Sequence, residues 1–477
     1  MLFGSFAYML IFLPVVVLGS ILLRKIFSSV VAQGWILAAS IYFYGGSRPS
    51  NLFFLGASVI ANWLFARWIV RSVQPLKKRL LVVALSLNIF YLSAFKYVPF
   101  LASMFSFALP SGFVAPHIAF VLGISFFTIT QIMYLVDCYE DTLTPGSLFD
   151  HATFVTFFPY VISGPLGRAK RIRHQFGNFG GLDGNRATTF ARGIFLFAFG
   201  LVKKACFADS FAQVVSFGRI GATNPSAVES WVFSIAYAMQ LYFDFSGYSD
   251  MAIGSALMLG IEIPRNFDAP YSSTSIAEFW QRWHISLTNF ITSYLYTPIY
   301  KSFKNRTLWT SLFATAIAMT IAGIWHGAGW NFAIYGLLHG IYLGVNQAWR
   351  RNKFPAIPKF PSWLLTFVAV LISFVYFGAD SVREANIRVA SMFNPHHAFS
   401  TTNLSSLALL VNGVALRFAG YPLLVGVLIA FLGPSSDQRA RDFKPSVLNL
   451  VYTVFFLLAG FFMVNSVVSA PFVYFKF

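Results

Sequence analysis

Long apolar runs alternate with short polar connections along this chain. A run of roughly 20 mostly apolar residues suffices to cross about 30 Å of hydrocarbon as a helix. Such runs predict helices near residues 5–23, 34–45, 51–70, 80–109, 117–136, 189–216, 229–258, 309–325, 331–348, 361–378, 405–432 and 447–467. The run at 34–45 is short, and Lys96 interrupts the one at 80–109. No basic stretch precedes the first run and no Ala-x-Ala follows it, so it reads as a retained helix and not a cleaved signal peptide. Two stretches do not fit as simple spans. Residues 151–166, including Phe157, Phe158 and Pro159, are apolar but lie between basic segments, which predicts a re-entrant or interfacial element. At 275–300, Ser275 and Glu278 form a capping box that starts a helix near Ile276, and Pro298 is expected to end it. Trp280, Trp283, Tyr294 and Tyr296 on that helix suit a belt at headgroup level.

Orientation follows from where Lys and Arg collect, because basic loops stay cytoplasmic. Clusters at Arg24–Lys25, Arg71–Arg79, Arg168–Arg173, Lys301–Arg306, Arg350–Lys353 and Arg439–Lys444 occupy alternate connections, whereas the loops at 107–117, 220–229 and 395–405 carry no Lys or Arg. That alternation places both termini outside the cytoplasm. Composition agrees: of 477 residues, 57% are hydrophobic and 10% charged, against about 25% charged in a soluble domain. A soluble enzyme is excluded, and 56 Phe without a fixed period exclude disorder and fibrous repeats. The net charge of +18 is dispersed over the cytoplasmic connections, so it does not point to nucleic acid. Cys138 and Cys206 sit in apolar runs without a CxxC pair, which argues against a disulfide framework or a thiol-ligated metal. The expected fold is an all-α polytopic membrane protein of about 11–12 transmembrane helices with added re-entrant or interfacial helices, one membrane-embedded domain over residues 1–477.

Ionisable groups at membrane depth are costly and therefore mark candidate sites. His339, His326, Asp244 and Asp137 fall in such runs. On a helix His339 shares a face with Asn331, Phe332, Tyr335 and Gly336. A polar stripe beside a glycine that leaves room for another group suits a reaction chamber; the same stripe also suits an interhelical hydrogen bond. A continuous helix from His326 to His339 would separate the two imidazoles by roughly 20 Å, while Gly327 and Gly329 suggest a tight turn, so His326 is assigned a positioning or capping role. His284, after Trp283 and Arg282, reads as structural or functional. Asp244 has hydroxyls beside it in sequence and reads as a hydrogen-bonded structural carboxylate. Arg168, Lys170 and Arg171 could dock a phosphorylated donor or an acidic carrier, or could be ordinary cytoplasmic charge. GxxxxGK, GxGxxG, HExxH and GxSxG are absent, and His396-His397 lacks an acidic residue at Thr401 for an HHxxxD motif. Nothing in the sequence supplies a metal site or a bound cofactor.

These residues, in order, resemble the membrane-bound O-acyltransferase family, most closely its bacterial alginate O-acetyltransferase branch. The matching segments are Gly123–Thr128 with Tyr134–Asp137, Phe157–Pro165, Gly200–Lys204, Tyr242–Met251, Phe279–Leu287, and Trp325-His326-Gly327 leading to Tyr335–Gly340. The resemblance is strong over about residues 120–345. It implies helices around a central tunnel with a cytoplasmic funnel and an extracytoplasmic mouth. His339 matches the family's essential histidine and His284 its second polar position, with Trp283, Tyr335 and Asn331 as neighbouring substrate contacts. Implied too are His339 as general base, a cytoplasmic acyl thioester donor such as acetyl-CoA, and an acceptor that is an exopolysaccharide hydroxyl or a periplasmic acetyltransferase-like partner. The setting is a bacterial inner membrane, with lipid around the helices. Thr292-Ser293 and Tyr376–Ala379 depart from the branch pattern and leave the acceptor open. D-alanyl transfer from a carrier protein to an envelope polymer is the nearest alternative. A transporter with a midplane histidine is the alternative of another class, disfavoured by the absence of an inverted repeat and by few paired intramembrane carboxylates.

Overall fold

A computed structural model describes residues 3–46, 48–104, 121–177, 186–219, 225–394, 420–466 and 470–476. The loops at 107–117 and 395–405, with His396, His397 and Thr401, lie outside the described residues. Every predicted apolar run coincides, where described, with helix, and no strand occurs among the described residues. Among the described residues, six helices are long and apolar enough to cross a bilayer by themselves: Ala7–Ile26, Ser50–Arg71, Leu76–Lys96, Leu308–His326, Lys359–Gly378 and Val447–Asn465. Their outward faces expose large apolar side chains, among them Phe53, Phe90, Trp309 and Val447, as a surface solvated by lipid requires. The chain is a multi-pass all-α membrane protein. The interruption expected at Lys96 is present: one helix ends there and Val98–Met104 begins another.

Two compact units divide the chain, Met1–Phe197 with Met251–Arg265, and Ala198–Asp250 with Asn266–Phe477. In the first, polar side chains bind helices together where apolar contact alone would not specify register. Asn62 and Asn88 exchange amide hydrogen bonds, the Tyr8 hydroxyl donates to Ser255 at 2.8 Å, and Gln131 donates to Ser58 at 2.6 Å. The element anticipated at 151–166 is a nine-residue helix, Leu148–Thr156, followed by buried turns through Gly164. Ser147 and Asp150 cap it reciprocally. At 1.5 Å per residue this helix is about 14 Å long, too short to cross. Gly123 caps the preceding helix, Ile124–Tyr139, at φ +71°, with the backbone of Val161 and Ile162 where a Cβ would lie.

The second unit holds the antiparallel pair Leu308–His326 and Trp330–Arg351. The expected tight turn lies between them: Gly327 and Gly329 are extended, so the helix does not continue from His326 to His339. Gly336 does not leave room for another group. A Cβ there would lie 3.0 Å from Gly323 Cα and closer still to the Met319 carbonyl oxygen, so the facing helix backbone fills the space. Gly336→Val should therefore force the pair apart and lower the melting temperature and the monodisperse yield in detergent, read by fluorescence-detected size exclusion; Leu337→Val, on the exposed side, should change neither.

The region 275–300 departs from expectation in two ways. The helix starting at Ser275 stops at Arg282, and after a break at His284 the chain is helical again from Ile285 to Ser302. Pro298 does not end it. It follows a wide π-turn, Ile291–Tyr296, which relieves the clash of the proline ring with the carbonyl four residues back. Trp280 and Trp283 are core residues, 4% and 2% exposed, and not a headgroup belt.

Candidate active site

His339 lies on the helix Trp330–Arg351, whose buried face carries Asn331, Phe332, Tyr335, Gly336, His339 and Gly340, the stripe read from the sequence. Its ring is fully buried. The Trp280 indole N–H donates to His339 Nδ1 at 3.2 Å. An indole nitrogen can only donate, so Nδ1 must present its lone pair and the neutral ring carries its proton on Nε2. That Nε2 is buried without a hydrogen-bond partner among the described residues. Tyr335 meets the ring edge-on at 4.8 Å between centroids, Phe279 lies parallel at 6.2 Å, and Tyr342 closes a third side at 6.0 Å.

His284 occupies the break between Ile276–Arg282 and Ile285–Phe290, with φ +43°, a left-handed conformation uncommon for a residue with a side chain. Holding it there costs on the order of 1–3 kcal/mol. Segment 266–268 over-determines the conformation: Ile285 N–H donates to the Asn266 carbonyl, Asp268 N–H donates to the Arg282 carbonyl, and both bonds are 2.9 Å. The Asn266 side chain reaches the ring, its Oδ1 lying 3.0 Å from His284 Nδ1. The same oxygen accepts from the Ser286 backbone N–H at 3.3 Å and from the Ser286 hydroxyl at 2.9 Å, while Asn266 Nδ2 donates to Ser249. A backbone N–H only donates, so oxygen is fixed on this side and His284 Nδ1 must carry the proton. The lone pair is then on Nε2, which is fully buried and without a partner among the described residues.

A row of rings links the two histidines. His284 and His326 centroids are 6.4 Å apart, His326 and Tyr335 6.0 Å, and Tyr335 and His339 4.8 Å. His326 is the last residue of Leu308–His326 and packs edge-on against Trp325 and Phe377. Trp283 forms a wall, stacked on Phe279 at 5.5 Å and packed on Phe374 at 5.2 Å. Asn331 was expected to contact substrate, but its amide donates to the Tyr376 and Ala379 carbonyls and thereby ties its helix to the end of Lys359–Gly378. Arg168, Lys170 and Arg171 belong to the other unit, at and on the helix Ala169–Gly177, where Lys170 and Arg171 are exposed.

Asp244, read from the sequence as a hydrogen-bonded carboxylate, pairs with a buried lysine and accepts from a backbone N–H. Lys204 lies 2.9 Å from Asp244 and 2.8 Å from Asp209, and Lys203 lies 2.7 Å from Asp250. All five side chains are at most 15% exposed. These buried carboxylates are thus paired with lysines. Gly247 permits the approach: a Cβ there would lie 2.8 Å from the Gly200 carbonyl oxygen and 3.1 Å from Lys203 Cβ. The cluster also holds residues 470–474, for Asp209 accepts from Ala470 N–H, Lys204 donates to the Ala470 carbonyl, and Asp244 accepts from Val473 N–H at 2.7 Å. Tyr474 is thereby set 5.7 Å from the His326 ring and 6.4 Å from that of His284. Sequence reading missed Lys203, Lys204, Asp209, Asp250, Asn266, Trp280's bond to His339, and Tyr474. The two lysines inside the run 189–216 were a usable signal for the ionic cluster; Tyr474 carried none.

The family model described as the membrane-bound O-acyltransferase family matches residues 49–383. The chain is 36% identical to a peptidoglycan O-acetyltransferase of Helicobacter pylori over 81% of this chain and 78% of that protein. It is 34% identical to a probable alginate O-acetylase of Pseudomonas aeruginosa over 91% of this chain and 81% of that protein. Similarity at 32% identity extends to a teichoic acid D-alanyltransferase of Streptococcus thermophilus, over 49% of this chain and 58% of that protein.

Proposed function

The chain belongs to the membrane-bound O-acyltransferase family, and on that premise we propose that it moves an acetyl group from acetyl-CoA in the cytoplasm to a hydroxyl of an extracytoplasmic envelope glycan. The transfer is direct or passes through a periplasmic acetyltransferase-like partner, and the membrane is the bacterial inner membrane. As a membrane O-acyltransferase it exchanges a thioester for an oxygen ester, a reaction that needs a proton acceptor, a donor to the carbonyl oxygen and exclusion of water. The observation that carries the reading is the pair of fully buried histidines, each with one ring nitrogen committed to the protein and the other without a partner among the described residues. Full burial favours transfer over hydrolysis of the thioester. The O-acetyl names of the two relatives aligned over most of the chain favour acetyl over D-alanyl.

Purified protein in proteoliposomes, given labelled acetyl-CoA on the cytoplasmic side, should release free CoA only when a glycan or acetyl-accepting partner is supplied on the other side. Acceptor-dependent use of a D-alanyl carrier protein in place of acetyl-CoA would replace the acetyl reading; transport without thioester cleavage would refute acyl transfer. In the same assay, converting Arg168, Lys170 and Arg171 to Glu should raise the donor KM severalfold and leave kcat less affected, with wild-type KM rising more steeply with salt than that of the variant. An unchanged KM would leave these residues as topological charge.

A further inference from the structure

The helix pair Leu308–His326 and Trp330–Arg351 carries a second feature on the side where its apolar residues are exposed. An apolar groove of about 750 Å³ runs along the two helices, within the range of about 300–1,000 Å³ typical of small-ligand sites. Trp309, Phe313, Ile341 and Val345 line it and are exposed. Gly344 keeps it open, since a Cβ there would meet within 4 Å only the Leu312 side chain, at 3.4 Å. The Thr310 hydroxyl in the lining is taken up by the Asn305 and Thr307 carbonyls, which leaves the walls apolar. Phe303, Trp309 and Ala348 mark one end of the groove, Ala316 and Gly340 the other. Ala348 and Gly340 are about 12 Å apart along a helix, close to the roughly 15 Å of hydrocarbon in one leaflet.

Cations collect at the first end. Lys304 follows Phe303, Arg306 lies just before Trp309, and Arg350 and Arg351 end their helix just past Ala348; all four are exposed. Between Glu278 and Asp380 the sequence contains no Asp or Glu. None of the four forms an ion pair among the described residues. Trp309 and Trp349 flank the same end, as side chains at headgroup level do.

We propose that this groove seats an acyl chain of an anionic phospholipid, whose phosphate is held by Lys304, Arg306, Arg350 and Arg351. An acidic protein would meet the cations and make no use of the groove. A zwitterionic lipid would fill the groove and leave the cations unneutralised. A molecule with both an alkyl chain and an anionic head answers both, and in a bilayer that is an anionic phospholipid. Because the groove ends at Gly340, next in sequence to His339, the lipid braces the outer face of the helix that carries the candidate catalytic ring. This inference does not depend on the acyl-transfer reading.

The test uses the full chain. In detergent, phosphatidylglycerol should raise the melting temperature by several degrees, and phosphatidylcholine at the same mole fraction by much less. Lys304→Gln combined with Arg306→Gln should lower the preference for phosphatidylglycerol over phosphatidylcholine in native mass spectrometry by at least about fivefold, the effect of one cation near an anionic headgroup. Gly344→Leu, which fills the groove, should reduce retention of both lipids, whereas Gly344→Ala should not. A further measurement needs no variant. Phosphatidylglycerol with a photoreactive group midway along one chain, in proteoliposomes, should label residues 309–316 and 340–348 of the parent, and unlabelled phosphatidylglycerol should compete where phosphatidylcholine does not. Labelling no greater there than on Ser50–Arg71 or Val447–Ser466 would overturn the seat. Equal competition by the two lipids, or an undiminished preference in the double variant, would overturn the headgroup assignment. Stabilisation by inorganic phosphate equal to that by phosphatidylglycerol, or displacement of the lipid by an acidic acyl carrier protein, would overturn a lipid as the occupant.

Discussion

His339→Ala is expected to lower acyl transfer at least about 100-fold, the loss typical of removing an oxyanion donor or a general acid–base group. The protein should remain inserted and monodisperse. What the fold loses is one hydrogen bond from Trp280 and the ring's contacts with Phe279 and Tyr335. A hydrogen bond between membrane helices averages about 0.6 kcal/mol, so the melting temperature should shift by only a few degrees. If His339 merely tied Ile276–Arg282 to Trp330–Arg351, activity would instead decline in proportion to stability. Measuring both on one preparation separates the two roles, and a variant that keeps most of its transfer rate would remove His339 from the chemistry.

Lys204→Met should show the opposite balance, with stability failing first. Lys204 is the shared cation between Asp209 and Asp244, and its removal leaves two buried carboxylates that were also holding Ala470 and Val473. Breaking a buried ion pair by deleting one partner costs about 3–5 kcal/mol, because the remaining charge keeps its desolvation penalty. The melting temperature in detergent should drop by several degrees, and activity should fall as residues 470–474 loosen around His284 and His326. Neutralising the whole group, with Lys204→Met, Asp209→Asn and Asp244→Asn together, should recover much of the stability, since each Asn oxygen can still accept from the backbone. No recovery would mean that the lysine stabilises through packing and not through charge.

The helices were legible because their signal is one-dimensional. A run of apolar residues must be helical in lipid wherever it falls, since every backbone polar group has to be satisfied within the segment. Leu308–His326, Trp330–Arg351 and Lys359–Gly378 therefore appear within one or two residues of their expected limits at most ends. Capping chemistry is equally local, and Ser275 starts its helix as read. The stripe from Asn331 to His339 follows from helical periodicity alone, and the ordered motifs point to the acyltransferase family from the sequence itself.

Function within the site was not local. That the helix breaks at His284 depends on Asn266 and Asp268 hydrogen-bonding to Ile285 and Arg282, 19 and 14 residues away in sequence. Which nitrogen of His339 is free depends on Trp280, 59 residues distant, and Asp244 finds its backbone donor at Val473, 229 residues on. Hydrophobic pattern and charge placement act along the chain, and so determined the fold class and the approximate helix limits. Tautomer, buried charge pairing and the seat of Tyr474 depend on donors and acceptors meeting across the fold. A hydrogen bond is directional and short-ranged, so only the tertiary structure decided them.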